Sequence, residues 1–376
     1  MGRDTLFSYA YGQRAVPKLA EMLSDKTRTE EERVQTLTSL NNLLASQEEK
    51  CAATSAIPSI PHRLEQLIRS ETEPVRRLSA DCLASLATVM QGRIAIAEYD
   101  IVPAMTDALR DKSPNVRTAA ARALRSVATS RDGCALLAAD EVVQALVAAL
   151  DVDEQPTIVA ALSALASLTR LDVGVGVAIA AMIIEKLRKC IALGQRTNRE
   201  LLLCALQCLF NIANTADGKA AAIHASLLPA LGALCVAPAP GGELLDPETV
   251  RLAVGCIMAT TIAKEGKFAA ADSAVVGALC DILVDAGTDP FTLRSVVAAM
   301  KNIAELPRAR AEFAAQLAPH GVDMLMIADG AVWPDSNRYV HQNVAPGGVA
   351  CDADRALRAQ WGYPEPHPSS YDEPGE

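Results

Sequence analysis

The chain has 376 residues, half of them hydrophobic and only 3% aromatic, with a formal net charge of −10. That length allows two or three ordinary domains or one extended repeat array. A mixture rich in Ala and Leu favours many thin helices in close contact over a β-rich fold, and the acidity argues against a protein that tracks phosphate backbones.

The N-terminus, MGRDTLFSYAYGQRA, lacks the apolar core of a signal peptide. Gly2 invites myristoylation, but Leu6 stands where that signal needs Ser or Thr. Residues 1–11 read as an aromatic extension carrying Phe7, Tyr9 and Tyr11. From residue 12 onward a pattern of small–Leu–x–x–apolar recurs as SLNNL at 39, CLASL at 82, ALRSV at 123, ALASL at 164, CLFNI at 208, an imperfect CIMAT at 256 and AMKNI at 299. Its second positions (40, 83, 124, 165, 209, 257 and 300) are 41 to 48 residues apart, the period of stacked helical units.

Two further signals keep the same phase. A proline precedes five of the seven markers by nine or ten residues, at Pro74, Pro114, Pro156, Pro247 and Pro290. Ser113-Pro114 and Asp289-Pro290 read as an N-cap followed by proline at the first helical position, where its missing N–H costs nothing. A glycine follows five of the seven markers by nine residues, at Gly92, Gly133, Gly174, Gly218 and Gly266. Such a glycine reads as a helix stop in the left-handed conformation.

Between one glycine and the next marker come a short segment, RIAIAEYD, a longer amphipathic one, IVPAMTDALRD, and then the proline-initiated helix. Three helices per unit is the armadillo arrangement, where a HEAT unit has two. The expected fold is therefore all-α: a right-handed α-solenoid of about seven three-helix armadillo repeats over residues 12–318, followed by an irregular C-terminal tail, residues 319–376. Small residues (Ala80, Cys82, Ala121, Ala123, Cys208, Cys256 and Ala299) let the third helices lie close together.

The longest uncharged run, Val173 to Ile184, is too short to span a bilayer. Neither membrane nor nucleic acid is expected as a partner, and the protein is expected in the cytoplasm. Ten cysteines occur without a C-x-x-C pair, and Cys204 and Cys208 lack companions at zinc spacing. They read as small buried residues in a reducing compartment. The tail holds nine Asp/Glu against three Arg, seven prolines, and the aromatics Trp333, Tyr339, Trp361, Tyr363 and Tyr371. It is expected to lack an independent fold and to order on a partner through Trp333, Trp361 and Tyr363.

Nucleotide-binding loops, zinc-protease helices and serine-nucleophile elbows have no match. The glycine of KEGKFAA sits at the interunit position, and the histidines are isolated in sequence. No catalytic, metal or cofactor-binding residue is expected, so the reading is non-enzymatic and cofactor-free. RRLS, Arg76 to Ser79, matches a basophilic kinase pattern, but Ser79 falls inside a third helix.

What remains is the groove that third helices line. Its polar file inside the marker holds Asn42, Ser85, Ser126, Ser167, Asn211, Ala259 and Asn302, and one turn earlier stand Thr38, Asp81, Arg122, Ser163, Gln207, Gly255 and Ala298. An asparagine offers an extended peptide both a donor and an acceptor. Asn42, Arg122, Ser126, Gln207, Asn211 and Asn302 are the candidate partner contacts, with solvation or capping of neighbouring backbone as the competing role. Nuclear-import adaptors of this arrangement pair each Asn with a Trp, and the array has none.

AYGQRAVPKLAEML (10–23), PVRRLSADCLASLATVMQGRIAIAEYDIVPAM (74–105) and TTIAKEGKFAA (260–270) resemble stretches of the armadillo-repeat radial spoke proteins of cilia and flagella, of the fourteen or eight type. The opening AYG-x-RA and the set Gly92, Arg93, Asp100, Ile101 and Val102 carry the most discriminating weight. The resemblance implies a structural scaffold subunit that docks other radial spoke subunits in a large axonemal complex of the ciliary cytoskeleton and supports ciliary motility. The tail from 319 departs from it. The alternative is a soluble adaptor binding extended peptides in its groove, although Gly255 and Ala259 interrupt the polar file.

Overall fold

A computed structural model describes residues 14–152, 154–236, 246–285 and 287–322, which form helices and turns with no strand among them. The chain divides into two compact units, Met1–Ile212 and Ala213–Glu376.

In chain order the first unit contains α1 (Ala15–Ser24), α2 (Glu30–Leu43), α3 (Gln47–Thr54), α4 (Ile60–Leu67), α5 (Glu73–Leu86), α6 (Met90–Glu98), α7 (Val102–Ala108) and α8 (Pro114–Val127). It continues with α9 (Arg131–Leu136), α10 (Asp140–Ala148), a single 3-10 turn, α11 (Gln155–Leu168), α12 (Asp172–Ala180), α13 (Ile183–Thr197) and α14 (Arg199–Ala213). The second unit contains α15 (Ala216–His224), α16 (Leu227–Ala233), α17 (Pro247–Thr260), α18 (Lys264–Ala271), α19 (Val275–Val284), α20 (Pro290–Ala304) and α21 (Pro307–Leu317). All seven marker pentads fall at the C-terminal ends of the third helices α2, α5, α8, α11, α14, α17 and α20. From α3 to α20 each repeat has three helices, and the first repeat contributes α1 and α2 among the described residues.

The third helices α2, α17 and α20 begin on side-chain caps. Asp246 accepts from the Thr249 backbone N–H at 3.1 Å, and Asp289 accepts from Phe291 and Thr292 at 2.9 and 3.1 Å. Thr29 and Glu32 form a reciprocal capping box on α2. Ser113 occupies the N-cap position of α8 but makes no cap bond. Its hydroxyl instead donates 3.1 Å to Glu73 on the preceding third helix. The equivalent Thr72 likewise donates to Glu30. Both hydroxyls tie repeats together, and at Ser113 this bond stands in place of the expected cap.

Burial follows the markers. Leu40, Leu83, Leu124, Leu165, Leu209, Ile257 and Met300 have no exposed surface, and each such side chain contributes roughly 1.5–3 kcal/mol of burial free energy. Small residues sit between them: Ala80, Cys82, Ala121 and Ala123 are fully enclosed as α2, α5, α8 and α11 pack in succession. In the second unit α17 packs on α20 in the same way, with Cys256 and Ala299 enclosed. Cys82, Cys134, Cys190, Cys208, Cys235, Cys256 and Cys280 are buried free thiols. Burial pushes the Cys190 thiol up to about 11 and that of Cys208 up to about 12, where neither is a nucleophile at neutral pH.

The recurrent glycines are not helix stops. Gly321 is the one glycine with positive φ among the described residues. Gly92, Gly133, Gly174, Gly218 and Gly266 are each the third residue of a first helix, α6, α9, α12, α15 and α18. A Cβ at Gly92 would lie 1.9 Å from the Leu86 carbonyl oxygen, and one at Gly133 1.8 Å from that of Val127. At Gly174 and Gly266 the same approach is 2.4 and 2.1 Å, to Leu168 and Thr260. The glycine therefore lets the chain double back tightly from the end of a third helix into the next repeat.

A repeated arginine closes the opposite turn. Arg76 donates to Asp111 at 2.6 and 3.0 Å and to the carbonyls of Ser70 and Glu71 at 3.0 and 2.7 Å. Arg117, its counterpart, pairs with Glu154 and donates 2.8 Å to the Asp111 carbonyl. Each one bolts the start of its own third helix to the loop that launches the next. Partial burial works to raise the Asp111 carboxyl, but the bonds from Arg76 and the Ser113 N–H outweigh it and hold the group below its ordinary value.

Gly92→Ala forces a shift at a backbone oxygen and is expected to lower stability by about 2 kcal/mol or more, read as the urea midpoint. Gly176, also in α12, has nothing within 4 Å of an added Cβ. Gly176→Ala is expected to leave stability unchanged or raise it by up to about 1 kcal/mol, read in the same way. Equal effects of the two substitutions would contradict the close-approach role.

Candidate functional site

Within the first unit the polar file lies along one face of consecutive third helices. The register is set by bonds from each helix to the one before it. Asn211 on α14 donates 2.7 Å to the carbonyl of Ala166 at the end of α11, and Gln207 donates 3.1 Å to Asn211. Ser85 on α5 approaches Asn41 on α2 at 3.4 Å. In the second unit Asn302 on α20 donates 3.3 Å to the carbonyl of Met258 on α17. In each case the fourth residue of a marker reaches back to the third residue of the preceding one.

This geometry separates the candidates. The amide donors of Asn211 and Asn302 are engaged by carbonyls that a helix C-terminus leaves without intrahelical partners, so both residues cap neighbouring backbone. Gln207 is drawn into the same network. Asn42 is exposed and Ser126 half-exposed, and neither side chain has a hydrogen-bond partner among the described residues. Asn42 on α2, Arg122 and Ser126 on α8, and Gln207 and Asn211 on α14 share the third-helix face of the first unit, whereas Asn302 belongs to the second. Trp333, Trp361 and Tyr363 lie outside the described residues.

Charged groups cross the same face. Asp81 on α5 accepts from Arg77 on its own helix at 3.1 Å and from Arg122 on α8 at 2.9 Å. Burial pushes the Asp81 carboxyl above its ordinary value against the pull of Arg122 and Arg77. Arg125 reaches past the intervening α11 to Glu200 at the start of α14, 3.4 Å away. Half-buried Cys204 sits near both: burial raises its thiol, Glu200 adds to that, and Arg125 opposes it. Arg77, Arg125 and Glu200 were not among the candidates. Arg125 is the third residue of its marker, one place from the file considered, and nothing local links it to a carboxylate 75 residues on.

Deeper in α5, Ser79 is fully buried and its hydroxyl donates 2.8 Å to Val75. A kinase would reach it only after the helix opened. Among the described residues no three His, Cys, Asp or Glu side chains gather as a metal site, and no helix is long and apolar enough to cross a membrane.

Residues 60–168, from α4 through α11, match the family model described as HEAT repeats. No curated protein sequence matches the chain. An engineered protein of the Northeast Structural Genomics Consortium superposes with a TM-score of 0.70 at 21% identity, over 88% of this chain and 82% of its own. A designed armadillo repeat protein superposes with a TM-score of 0.58 at 19% identity, over 65% of this chain and 99% of its own. A second designed armadillo repeat protein, in complex with peptide (KR)4, gives a TM-score of 0.57 at 20% identity with the same coverage of 65% and 99%. The fold is all-α, built from tandem helical repeats of the armadillo/HEAT type.

Proposed function

We propose that the protein is a non-enzymatic scaffold that docks an extended segment of another protein along the third-helix face of its first unit. The observation that carries this reading is the unspent hydrogen-bonding capacity on that face: the Asn42 carboxamide and the Ser126 hydroxyl have no partner among the described residues, and Arg122 engages Asp81 through a single N–H. An extended peptide brings unpaired backbone N–H and C=O groups that such side chains satisfy. The structural likeness to a designed armadillo repeat protein in complex with a peptide supports the same use of the fold.

Selection of a displayed linear-peptide library against the full chain tests it. The selected peptides should lose about tenfold in affinity on Asn42→Ala combined with Ser126→Ala, since each net hydrogen bond contributes about 0.5–1.5 kcal/mol. Unchanged affinity in that variant, with its thermal unfolding intact, would place binding elsewhere.

A narrower reading rests on the resemblance to radial spoke proteins. On that reading the docked segment belongs to a neighbouring subunit of the axonemal spoke, and the protein supports ciliary motility as part of the cytoskeleton. Of the residues that carry the resemblance, the opening AYG-x-RA lies largely outside the described residues, and Gly92, Arg93, Asp100, Ile101 and Val102 build the turn from α5 through α6 to α7. Arg93 donates 2.8 Å to the Ala87 carbonyl, Asp100 is left-handed, and Ile101 and Val102 are buried. Detergent extraction of cilia should leave the protein in the insoluble axoneme; recovery in the soluble fraction would contradict this narrower reading and leave the docking function standing.

A further inference from the structure

We infer that the third-helix face of the first unit selects acidic extended segments, with Arg122 and Arg125 as the paired anchors for two carboxylates. The inference rests on the docking reading above and adds the chemistry of the partner.

The charge count on this face runs against the rest of the chain. Arg77, Arg122 and Arg125 meet only Asp81 and Glu200, an excess of one positive charge in a protein whose net charge is −10. The two carboxylates are not alike. Asp81 is nearly enclosed, with 14% of its side chain exposed, and is shared between two guanidiniums. Glu200 is 58% exposed and meets Arg125, itself 44% exposed, at 3.4 Å. An exposed pair of that kind holds by about 0–1 kcal/mol. An incoming carboxylate can therefore replace Glu200 on Arg125 at little cost. Arg122 is 54% exposed and gives Asp81 one N–H at 2.9 Å. A guanidinium has five such donors, so it can hold Asp81 and a ligand together.

Spacing adds a register. Arg122 and Arg125 stand three residues apart on α8, so their Cβ atoms are about 5–6 Å apart. In an extended chain, residues i and i+2 share a face at about 6.5–7 Å. Two acidic residues separated by one position match the pair. A basic segment would meet the excess positive charge and could be held only by carboxylates already engaged. Nucleic acid, the other polyanion, carries a denser charge than one excess arginine answers.

Fluorescence anisotropy of the full chain with labelled (Glu-Ser)4, (Lys-Ser)4 and an oligothymidylate of eight nucleotides separates the possibilities. The expected result is that (Glu-Ser)4 binds about tenfold or more tighter than either competitor at low salt. Arg122→Glu with Arg125→Glu should reverse the peptide preference. Glu200→Gln, which releases Arg125 without adding charge, should tighten (Glu-Ser)4 by about threefold. Thermal unfolding of each variant controls for folding, and all three positions are solvent-accessible. Preference for (Lys-Ser)4, or weaker (Glu-Ser)4 binding by Glu200→Gln, would overturn the acidic selectivity and leave docking on this face standing. Oligothymidylate bound as tightly as the acidic peptide would overturn it as well. Binding of neither peptide would overturn it, and failure of the library selection would then remove the docking reading too.

Discussion

The architecture depends on how closely one third helix can lie against the next. A single repeat leaves its apolar face exposed, so it is stable only when a neighbour covers that face. Close contact requires two concessions from the sequence. Positions between the marker leucines must be small, as at Ala80, Cys82, Ala121 and Ala123. The turn into the next repeat must admit a carbonyl oxygen where any side chain would stand, as at Gly92 and Gly133.

Directional bonds then fix the register that apolar packing leaves loose. Arg76 and Arg117 secure the turn before a third helix, Thr72 and Ser113 reach back to Glu30 and Glu73, and Asn211 and Asn302 cap the preceding third helix. The same face that looks suited to a ligand is therefore partly consumed by the array itself. Among the positions that this stitching leaves over on the first unit's face are Asn42, Ser126 and the outer edges of Arg122 and Arg125, which the proposed docking uses. A face divided in this way can change its ligand chemistry through a few surface residues without loss of the repeat.

Much of the fold was legible because its signals are local and periodic. Leu83, Leu124 and Leu165 announce a period, and Pro114, Pro247 and Pro290 mark first helical positions, where they are found. Gly92 was misread because a glycine nine residues past a marker suits a left-handed stop and a close approach equally well. Only the position of the Leu86 carbonyl decides between them. Asn211 shows the corresponding limit for the site. Its residue type implies a hydrogen bond, but the partner, Ala166 O, is supplied by another repeat. The Arg125–Glu200 pair spans two repeats and leaves no trace in the period. Among the residues of the spoke-protein resemblance, those of the α5–α7 turn serve the architecture: Arg93 binds the Ala87 carbonyl, and Ile101 and Val102 are buried.

Native-state amide hydrogen exchange on the full chain tests mutual support between repeats most directly. In the first unit, α5 and α8 each have a third helix on both sides, so their core amides should exchange only through opening of the whole unit and be the slowest there. First helices such as α3 and α6, which are shorter and bury fewer residues, should exchange faster through local opening. Uniform exchange across α3, α5, α6 and α8, or α8 opening ahead of its neighbours, would contradict an array whose repeats are stable only against one another.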